Sequence, residues 1–327
     1  MPILTDPGFP TLQNVTKRLR PDGSVENDMA NLATKKVPTL EDIPWREANN
    51  GTTHKITATF GAPPPQWRTV NQGIKPQKGD SFQWLETCGL VEDYSDIDPE
   101  AAAGTSLAEF RKSEDDLKVA EFGKEIVRAI FYENATTAPE RIHGLAPRFT
   151  GANGTQTKDY VLLKGTRSGI NCESVWLINW DEETCFGIYP KGSMAGLSQR
   201  DLGERTLTKS DGSQLQVFTT HFKQKPGLAV RDYRRVIRMQ WDPDDAAFAD
   251  DKKSMYLALQ EMLDAVYDLG PNARLYMSRR SMAKFNQQVA ANNLNVLQWL
   301  ELNGRVVPNF RGVPIRVEDT LVPESAL

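Results

Sequence analysis

The side chains that most often carry out enzymatic chemistry are sparse in this sequence and form no familiar motif. The chain has three histidines, His54, His143 and His221, and none of them stands two, three or four residues from another. Such spacings place two imidazoles on one face of a helix or strand, where they bind a metal ion together. We therefore interpret the histidines as structural residues and expect neither a bound metal nor a cofactor.

Motifs for nucleotide binding and nucleophilic catalysis are also missing. The sequence lacks G-x-S-x-G, G-x-x-x-x-G-K-[ST] and G-x-G-x-x-G. Residues 191–196 bear only a faint likeness to a phosphate-binding loop, and we interpret them as a turn. The three cysteines, Cys88, Cys172 and Cys185, have no C-x-x-C spacing. They are interpreted as buried thiols in a reducing compartment.

Acidic residues raise two further hypotheses. Asp181 and Glu183 stand at positions i and i+2, which share a face on a strand, so a hydrolase that uses this carboxylate pair is the enzymatic alternative. Five aspartates between residues 242 and 251 raise the question of a calcium site. They lack the ligand spacing and the closing glutamate of a known calcium loop. We interpret them as charges of a turn and of a helix start, which the helix dipole favours.

A basic cluster stands out in a chain whose formal net charge is −4. Between residues 223 and 238 the chain has a single acidic residue, Asp232, against six basic ones: Lys223, Lys225, Arg231, Arg234, Arg235 and Arg238. Such a surface binds nucleic acid or the acidic surface of a partner subunit. We favour the subunit contact, because no aromatic–glycine pattern for base stacking accompanies the cluster.

These side chains belong to a polar chain of 327 residues, of which 39% are hydrophobic and 25% charged. The 7 Trp, 13 Phe and 8 Tyr residues nevertheless argue for a folded core. The nearly balanced charge gives no electrostatic basis for sequence-specific DNA recognition. No run approaches the roughly 20 apolar residues that cross a bilayer, and the first residues do not resemble a signal peptide, so no membrane association is expected.

Two segments are predicted to be parts that a single chain cannot bury. Residues 1–50 are polar and interrupted by turn formers, so we expect an extended arm with at most one short helix near residues 12–19. The arm is either a frayed tail or lies across another subunit. Residues 53–60 alternate as a strand does, and residues 82–94 form a second extended run beyond a proline-stiffened tip. A two-stranded ribbon is marginal in water, which again suggests a neighbouring subunit.

The most regular segment, residues 105–133, predicts a long helix. Thr105 or Ser106 is expected to cap it, with Glu109 at the capping-box position after Ser106. The apolar stripe of this helix is narrow and its charged face is wide. We therefore expect the helix to lie along a surface of the protein.

The remainder of the chain predicts an α+β fold with mixed sheets. Strand-like blocks separated by turn residues indicate two β-hairpins, over 174–189 and 214–241. The last predicted elements are an amphipathic helix over 253–269, a strand over 273–277, a helix over 280–292 and two short strands over 306–317.

Several blocks of this sequence resemble the major capsid proteins of tailed bacteriophages that have the HK97-like fold. Trp67–Ile74, Glu86–Glu92 and the long charged helix are similar to the extended loop and spine helix of that family. Tyr276–Ser281 and Phe310–Ile315 resemble its axial domain. Four further blocks resemble a podovirus-type branch, of the Bordetella phage type: His143–Phe149, Trp176–Trp180, Gly187–Gly192 and Gly227–Arg238.

The resemblance implies a division of the chain into four parts: an N-terminal arm (1–50), an extended loop (51–95), a peripheral domain with the spine helix (96–245) and an axial domain (246–327). In commoner members, long strands follow the block that corresponds to Phe310–Ile315. Here only residues 316–327 remain, so the strand order is expected to be rearranged.

The resemblance further implies a structural protein without enzymatic activity: a capsid subunit made in the host bacterial cytoplasm. Its copies would form hexamers and pentamers of a procapsid that matures into the icosahedral virion shell, around double-stranded DNA held without sequence-specific contact. Implied partners are a portal protein, a decoration or cementing protein and, because the arm is short, a separate scaffolding protein. An encapsulin-like nanocompartment is the alternative shell. Expected contact residues are Trp67, Arg68, Lys75, Lys78, Arg231, Arg234, Arg235 and Arg238.

Overall fold

The structure is a computed structural model, which describes residues 37–60, 63–102, 106–152, 155–165, 171–209, 212–245, 248, 254–291, 297–302 and 305–325. Its helices are α1 (Pro38–Asp42), α2 (Leu107–Tyr132), α3 (Ser254–Ala265) and α4 (Arg279–Ala291). Its strands are β1 (Trp45–Glu47), β2 (Thr53–Phe60), β3 (Asp80–Thr87), β4 (Val91–Ile97), β5 (Val161–Lys164), β6 (Glu173–Asn179), β7 (Cys185–Tyr189), β8 (Ser198–Thr208), β9 (Gln214–Gln224), β10 (Gly227–Val230), β11 (Val236–Trp241), β12 (Ala273–Met277), β13 (Leu297–Leu302), β14 (Arg305–Phe310) and β15 (Val313–Val317).

A seven-stranded sheet in the order β13–β14–β15–β12–β6–β11–β5 forms the centre of the described fold. Alternate residues of its interior strand β6 enter two different cores. Trp176 and Ile178 pack with α2 on one face, whereas Val175 and Leu177 pack with α3 and α4 on the other. Every residue of β6 is buried as a result. The body is thus a sheet with helices on both faces, a standard way to bury a mixed sheet.

The predicted hairpin over 174–189 is wrong. Both edges of β6 are occupied, by β12 on one side and β11 on the other, so no edge is left for β7. The chain instead leaves the sheet after Asn179, whose carbonyl accepts a hydrogen bond from Thr184 Oγ1 at 2.6 Å. β7 then pairs in parallel with β1 and antiparallel with β10 in a separate three-stranded sheet.

The predicted hairpin over 214–241 is also wrong, because its strands belong to three different sheets. β9 lies between β4 and β8, β10 pairs with β7, and β11 joins the central sheet. The hairpin in this part of the chain is β8–β9, and β8 was not predicted from the sequence. This strand is mostly exposed and carries charged side chains, so it lacks the apolar alternation that identifies a half-buried strand.

The strand predicted over 53–60 is confirmed, whereas the run over 82–94 divides into two strands. β3 pairs with β2 along eight residue pairs and forms the predicted ribbon, but β4 pairs with β9. The break lies at Gly89, whose amide donates to the Pro226 carbonyl at 2.8 Å. A side chain at this position would lie within 3.2 Å of the Glu140 carbonyl oxygen, so a glycine suits this close approach.

The predicted long helix is confirmed as α2, a helix of 26 residues that extends about 39 Å at ~1.5 Å per residue. Ser106 occupies the N-cap position, but its side chain makes no capping hydrogen bond, and Thr105 lies outside the described residues. The C-terminal half of the helix packs into the core through Ile126, Ile130 and Phe131.

The C-terminal predictions are confirmed in type and order, although α3 ends at Ala265 and the strand β13 was missed. The helix expected near residues 12–19 lies outside the described residues. Residues 37–50, at the end of the predicted arm, contain α1 and β1. Ile43 and Ala48 are buried there, so this part of the segment belongs to the folded body.

We predict that Phe131→Ala destabilises the unassembled chain by about 3–5 kcal/mol, because it opens a cavity beside the rings of Trp176 and Tyr276. Val119→Ala is the matched control on the same helix, since Val119 is 41% exposed, and it should change stability by less than about 0.5 kcal/mol. Urea denaturation followed by circular dichroism measures both. Equal effects of the two substitutions would contradict this assignment of the core.

Candidate inter-subunit surfaces

The loop between β2 and β3 projects from the chain without cover. Trp67 is 100% exposed and Val70 is 91% exposed. The turn is nevertheless ordered, because the Thr69 amide donates to Gln72 Oε1 at 3.2 Å and the Gln72 amide donates to the Thr69 carbonyl at 3.2 Å. Burying a large aromatic surface is favourable in free energy, and an indole that stays in water does not contribute this stabilisation. Exposed apolar groups of this kind mark contact surfaces.

The same loop is positively charged. Arg68, Lys75 and Lys78 are exposed, and no Asp or Glu occurs between residues 61 and 79. Within the part of the chain that the structure describes, no carboxylate lies within ion-pair distance of Lys75 or Lys78. The structure thus brings four predicted contact residues, including Trp67, together on one loop.

A buried ion pair fixes the base of the ribbon. Glu86 of β3 is 4% exposed, and its two carboxylate oxygens lie 2.5 and 2.6 Å from Nη1 and Nη2 of Arg148. Arg148 also donates to the carbonyls of His143 and Gly144, at 2.8 and 3.0 Å. A bidentate pair fixes orientation as well as distance. The ribbon therefore leaves the body at a defined place and angle.

The fold divides the predicted basic cluster, and Arg238 is a correction. This residue is 1% exposed, and its guanidinium lies 5.1 Å from the centre of the Trp176 ring. It donates to the Phe149 carbonyl at 2.7 Å and forms an ion pair with Glu324. Because β11 is an interior strand of the central sheet, Arg238 serves the core of the subunit and not a contact with a neighbour.

The other arginines of the cluster lie nearer the surface. Arg234 Nε donates to Asp232 Oδ1 at 2.9 Å, and the guanidinium lies 4.2 Å from the centre of the Tyr267 ring. Arg235 lies 3.8 Å from the same carboxylate. Burial opposes ionisation of Asp232, but the hydrogen bonds from Arg234 lower its pKa below the ordinary value. Arg231 is exposed, and subunit contacts through these arginines stay a prediction.

Charged side chains attach α2 to the sheet formed by β4, β9 and β8. Arg111 Nη2 lies 2.8 Å from Asp201, and Lys118 Nζ lies 2.6 Å from Asp93. Asp115 accepts hydrogen bonds from this sheet, and its partial burial raises the pKa of its carboxyl. Much of the polar face of the helix thus holds the chain's own sheet in place, which its sequence did not indicate.

A buried carboxylate holds the segment around α1 on the body. Asp42 accepts hydrogen bonds from Tyr276 Oη at 2.9 Å and from Arg316 Nη2 at 2.8 Å. Nearby, Thr39 Oγ1 donates to Glu318 Oε2 at 2.6 Å. Any arm that precedes residue 37 therefore starts from a fixed point on the subunit.

A second exposed apolar surface lies on the β13–β14 hairpin. Trp299 is 70% exposed and Val306 is 68% exposed. On the same face of the hairpin Leu297 pairs with Phe310, which is fully buried. The apolar face therefore continues from the core into solvent. The sequence of β13, L-Q-W-L-E-L, places Leu300 directly after Trp299, so it lacks the strict alternation that identifies a half-buried strand.

The positions of Asp181 and Glu183, and of two of the three cysteines, do not favour catalysis. Asp181 and Glu183 are exposed at the turn between β6 and β7, so they do not share a strand face. Burial raises the pKa of the Cys88 thiol to about 11 and raises that of Cys185 further. Thiols that resist ionisation are poor nucleophiles.

Among the residues that the structure describes, no group of three or more His, Cys, Asp or Glu side chains could hold a metal ion. None of the described helices is both long and apolar enough to span a membrane.

A helix–sheet–helix body with a projecting ribbon and a long helix is the architecture of an HK97-like icosahedral shell subunit. The capsid structure of bacteriophage Epsilon15 matches 99% of this chain and 99% of its own at 29% sequence identity, with a TM-score of 0.73. The capsid of bacteriophage JBD30 matches 90% of this chain and 94% of its own at 11% identity, with a TM-score of 0.55, and supports the fold alone. No curated protein sequence matches the chain.

The family model described as Major capsid protein GP7 matches residues 20–326. The chain belongs to this family and is a major capsid protein of a tailed phage, and thus a component of the virion. The predicted fold class and function are confirmed, and the nanocompartment alternative loses its support. Kinship with the Bordetella phage type stays a prediction.

We predict that Glu86→Gln destabilises the chain by about 3 kcal/mol, because it leaves the largely buried Arg148 guanidinium without its counter-charge. The ribbon should also become more sensitive to limited proteolysis, as its base is no longer fixed. The matched control is Asp244→Asn, in an ion pair where Asp244 is 59% exposed and Arg280 is 48% exposed. This control should lower the free energy of unfolding by less than about 1 kcal/mol. Unchanged cleavage of residues 53–87 would contradict the role of the pair.

We predict a pH-dependent effect of Glu318→Gln on stability. Burial raises the pKa of Glu318 above its ordinary value of 4.5, so the folded chain holds this proton to a higher pH than the unfolded chain. The stability that this carboxyl contributes is present below that ordinary value and is lost as pH rises through the raised pKa. The free energy of unfolding of the variant should therefore rise relative to wild type as the pH increases above the ordinary value of 4.5.

Urea denaturation at several pH values measures this difference, with the exposed Glu301→Gln as the matched control. A difference between Glu318→Gln and wild type that is constant with pH would contradict the assignment.

Proposed function

We propose that copies of this chain form the hexamers and pentamers of an icosahedral shell in which each extended loop lies on a neighbouring copy. The observation that carries this proposal is the combination of a fully exposed Trp67 with a base fixed by Glu86 and Arg148. A loop that is ordered yet uncovered is suited to contact another molecule without a large ordering cost.

Burial of the Trp67 indole would contribute favourable free energy to assembly. An indole buries about 150–250 Å² on docking, which corresponds to roughly 4–6 kcal/mol before the costs of association. Every copy both gives and receives one loop, so the contact recurs throughout a closed shell. Multivalency of this kind turns modest individual contacts into a stable assembly.

The content and partners of the shell are proposed on separate grounds. A formal net charge of −4 suits a wall around double-stranded DNA that does not bind the genome tightly or by sequence. By resemblance to the family, we propose a separate scaffolding protein and a portal protein that would admit the genome. The JBD30 capsid, at 12% identity, carries minor capsid protein trimers, and we propose a decoration protein here by analogy.

We further propose that the procapsid assembles in the host bacterial cytoplasm and that the chain has no enzymatic activity. The working division of the subunit is arm 1–50, extended loop 51–95, peripheral domain 96–245 and axial domain 246–327. Thr39, Ile43 and Ala48 are buried in the body. Their burial favours an arm that ends before Thr39, earlier than this division places it. The extended loop then corresponds to the ribbon β2–β3 with its tip.

We predict that Trp67→Ala together with Val70→Ser lowers the yield of shells more than tenfold, since each ~1.4 kcal/mol of contact energy is a factor of ten. Sedimentation and electron microscopy of the chain, expressed with and without its neighbouring genes, measure the yield. Met194→Ala is the matched control on another loop, as Met194 is 89% exposed. Thermal melting of the unassembled fraction should not change.

Wild-type yield from the double variant would contradict the role of the loop. A wild-type chain that stays a monodisperse monomer, with and without the products of neighbouring genes, would contradict the proposal as a whole.

A further inference from the structure

We infer that the tip of the extended loop docks into an acidic groove between β4 and α2 of a neighbouring copy. The loop tip is defined as residues 66–78. The acidic groove is defined by six of its lining residues: Leu90, Glu92, Glu125, Glu133, Glu140 and Ile142. The inference rests on the proposed function and names the receptor surface for the loop.

The acidic groove combines an apolar floor with a charged rim. Its volume is about 270 Å³, and Ala129, Ile142 and Pro226 line it together with Leu90, which is 51% exposed. An exposed leucine beside buried apolar residues offers a surface for one large apolar side chain. The groove lies at the break between β3 and β4, where Gly89 brings the chain close to residues 140–142.

The charge of the groove is negative. Four glutamates line it against one basic residue, Arg141. Two of these glutamates have close partners, because Glu133 pairs with Arg141 and Glu92 pairs with Lys223. Glu125 lies 3.8 Å from Arg128, and Glu140 is exposed without an ion pair in the part of the chain that the structure describes. The carboxylate of Glu140 on the rim is therefore available to a cationic partner.

The loop tip has the complementary character. It carries Arg68, Lys75 and Lys78 without any acidic residue, and it presents Trp67 and Val70 to solvent. An aromatic anchor with basic neighbours fits a groove with an apolar floor and an acidic rim. Complementary charges of this kind fix the register of a contact and exclude wrong partners.

Two other described grooves lack this complementarity. One has a volume of about 470 Å³ and is lined by residues 193–199 with Lys223 and Lys225, whose charge has the same sign as that of the loop tip. The other, of about 170 Å³, lies between β3 and the body, and Arg148 is its charged lining residue. Of these three described grooves, the acidic groove is the one whose charge attracts the tip.

The groove that receives a given loop tip belongs to another copy. The ribbon has eight residue pairs, so at ~3.4 Å per residue it carries its tip about 27 Å from the base. The groove lies beside that base, because its lining residues Gly89 and Leu90 follow β3 closely in the chain. Trp67 at the tip is fully exposed, so its indole packs against no part of its own chain that the structure describes. A contact between two different surfaces of identical subunits is head-to-tail, and it forms a ring where the rotation between copies closes, as in the hexamers and pentamers proposed above.

Charge reversal tests the inference in the full-length chain. Lys75→Glu with Lys78→Glu should abolish the shell peak in sedimentation, and so should Glu125→Lys with Glu140→Lys in the groove. Combining the four substitutions should restore shells, because the two surfaces are complementary again with opposite signs. Glu183→Lys with Glu204→Lys, at exposed positions outside the groove, is the matched control for the groove. It should neither abolish assembly nor restore it in the loop variant.

Failure of this inference is distinguishable from failure of the proposed function. If the loop variant loses shells and the groove variant does not restore them, the loop still makes a contact but its receptor is elsewhere, and the inference is overturned. If the loop variant and the Trp67 variant both assemble normally, the proposed function itself fails. Normal shells that lose only packaged DNA would assign the lysines to the genome and would also overturn the inference.

A disulfide test gives a direct geometric readout. In assembled shells, Lys75→Cys with Glu140→Cys should form covalent multimers under mild oxidation, whereas either single variant should give none. Absence of multimers in intact shells of the double variant would place the loop tip away from the groove.

Discussion

The pairing of Glu86 with Arg148 is the interaction on which the account of assembly depends. It is buried and bidentate, so it fixes the ribbon where β3 leaves the body. Without a rigid base, a loop that carries an exposed indole would collapse onto its own subunit and satisfy its apolar surface there. The pair thus keeps the loop available for contact, and in the proposed assembly copies of the same chain supply the missing surface.

The central sheet explains how an incomplete subunit is still a stable one. β6 is buried on both faces and occupied at both edges, so the core does not depend on any neighbour. Stability and assembly therefore rely on separate parts of the chain. The core rests on Trp176, Phe131 and their surroundings, whereas the loop tip and the β13–β14 hairpin carry exposed tryptophans. This separation allows a subunit to fold first and to assemble afterwards.

The periodicity of the sequence predicted the elements whose burial pattern follows from neighbouring residues in the chain. The helix α2 and the strand β2 follow from their 3.6-residue and two-residue patterns, and the loop residues from Trp67 to Lys78 follow from turn chemistry and resemblance. The two hairpins failed because the sequence of β6 and β7 does not tell which strand occupies which sheet edge. That choice depends on β11 and β12, which are remote in the chain.

Charge was a poor guide where tertiary structure decides burial. Arg238 belongs to a basic run, yet β11 is an interior strand, and the partners of the arginine come from Phe149 and the C-terminal Glu324. The acidic groove was not predicted for the same reason, because the fold brings together Glu92 and Glu140, which are distant in sequence. The family resemblance identified the shell fold, but it did not predict which surfaces are complementary.

The most direct test of the central claim is an electron cryo-microscopy map of one assembled particle at side-chain resolution. The account predicts density for the Trp67 indole against a neighbouring copy, with the ribbon extended from its Glu86–Arg148 base. An indole packed against its own subunit, or left in solvent within a complete shell, would contradict it.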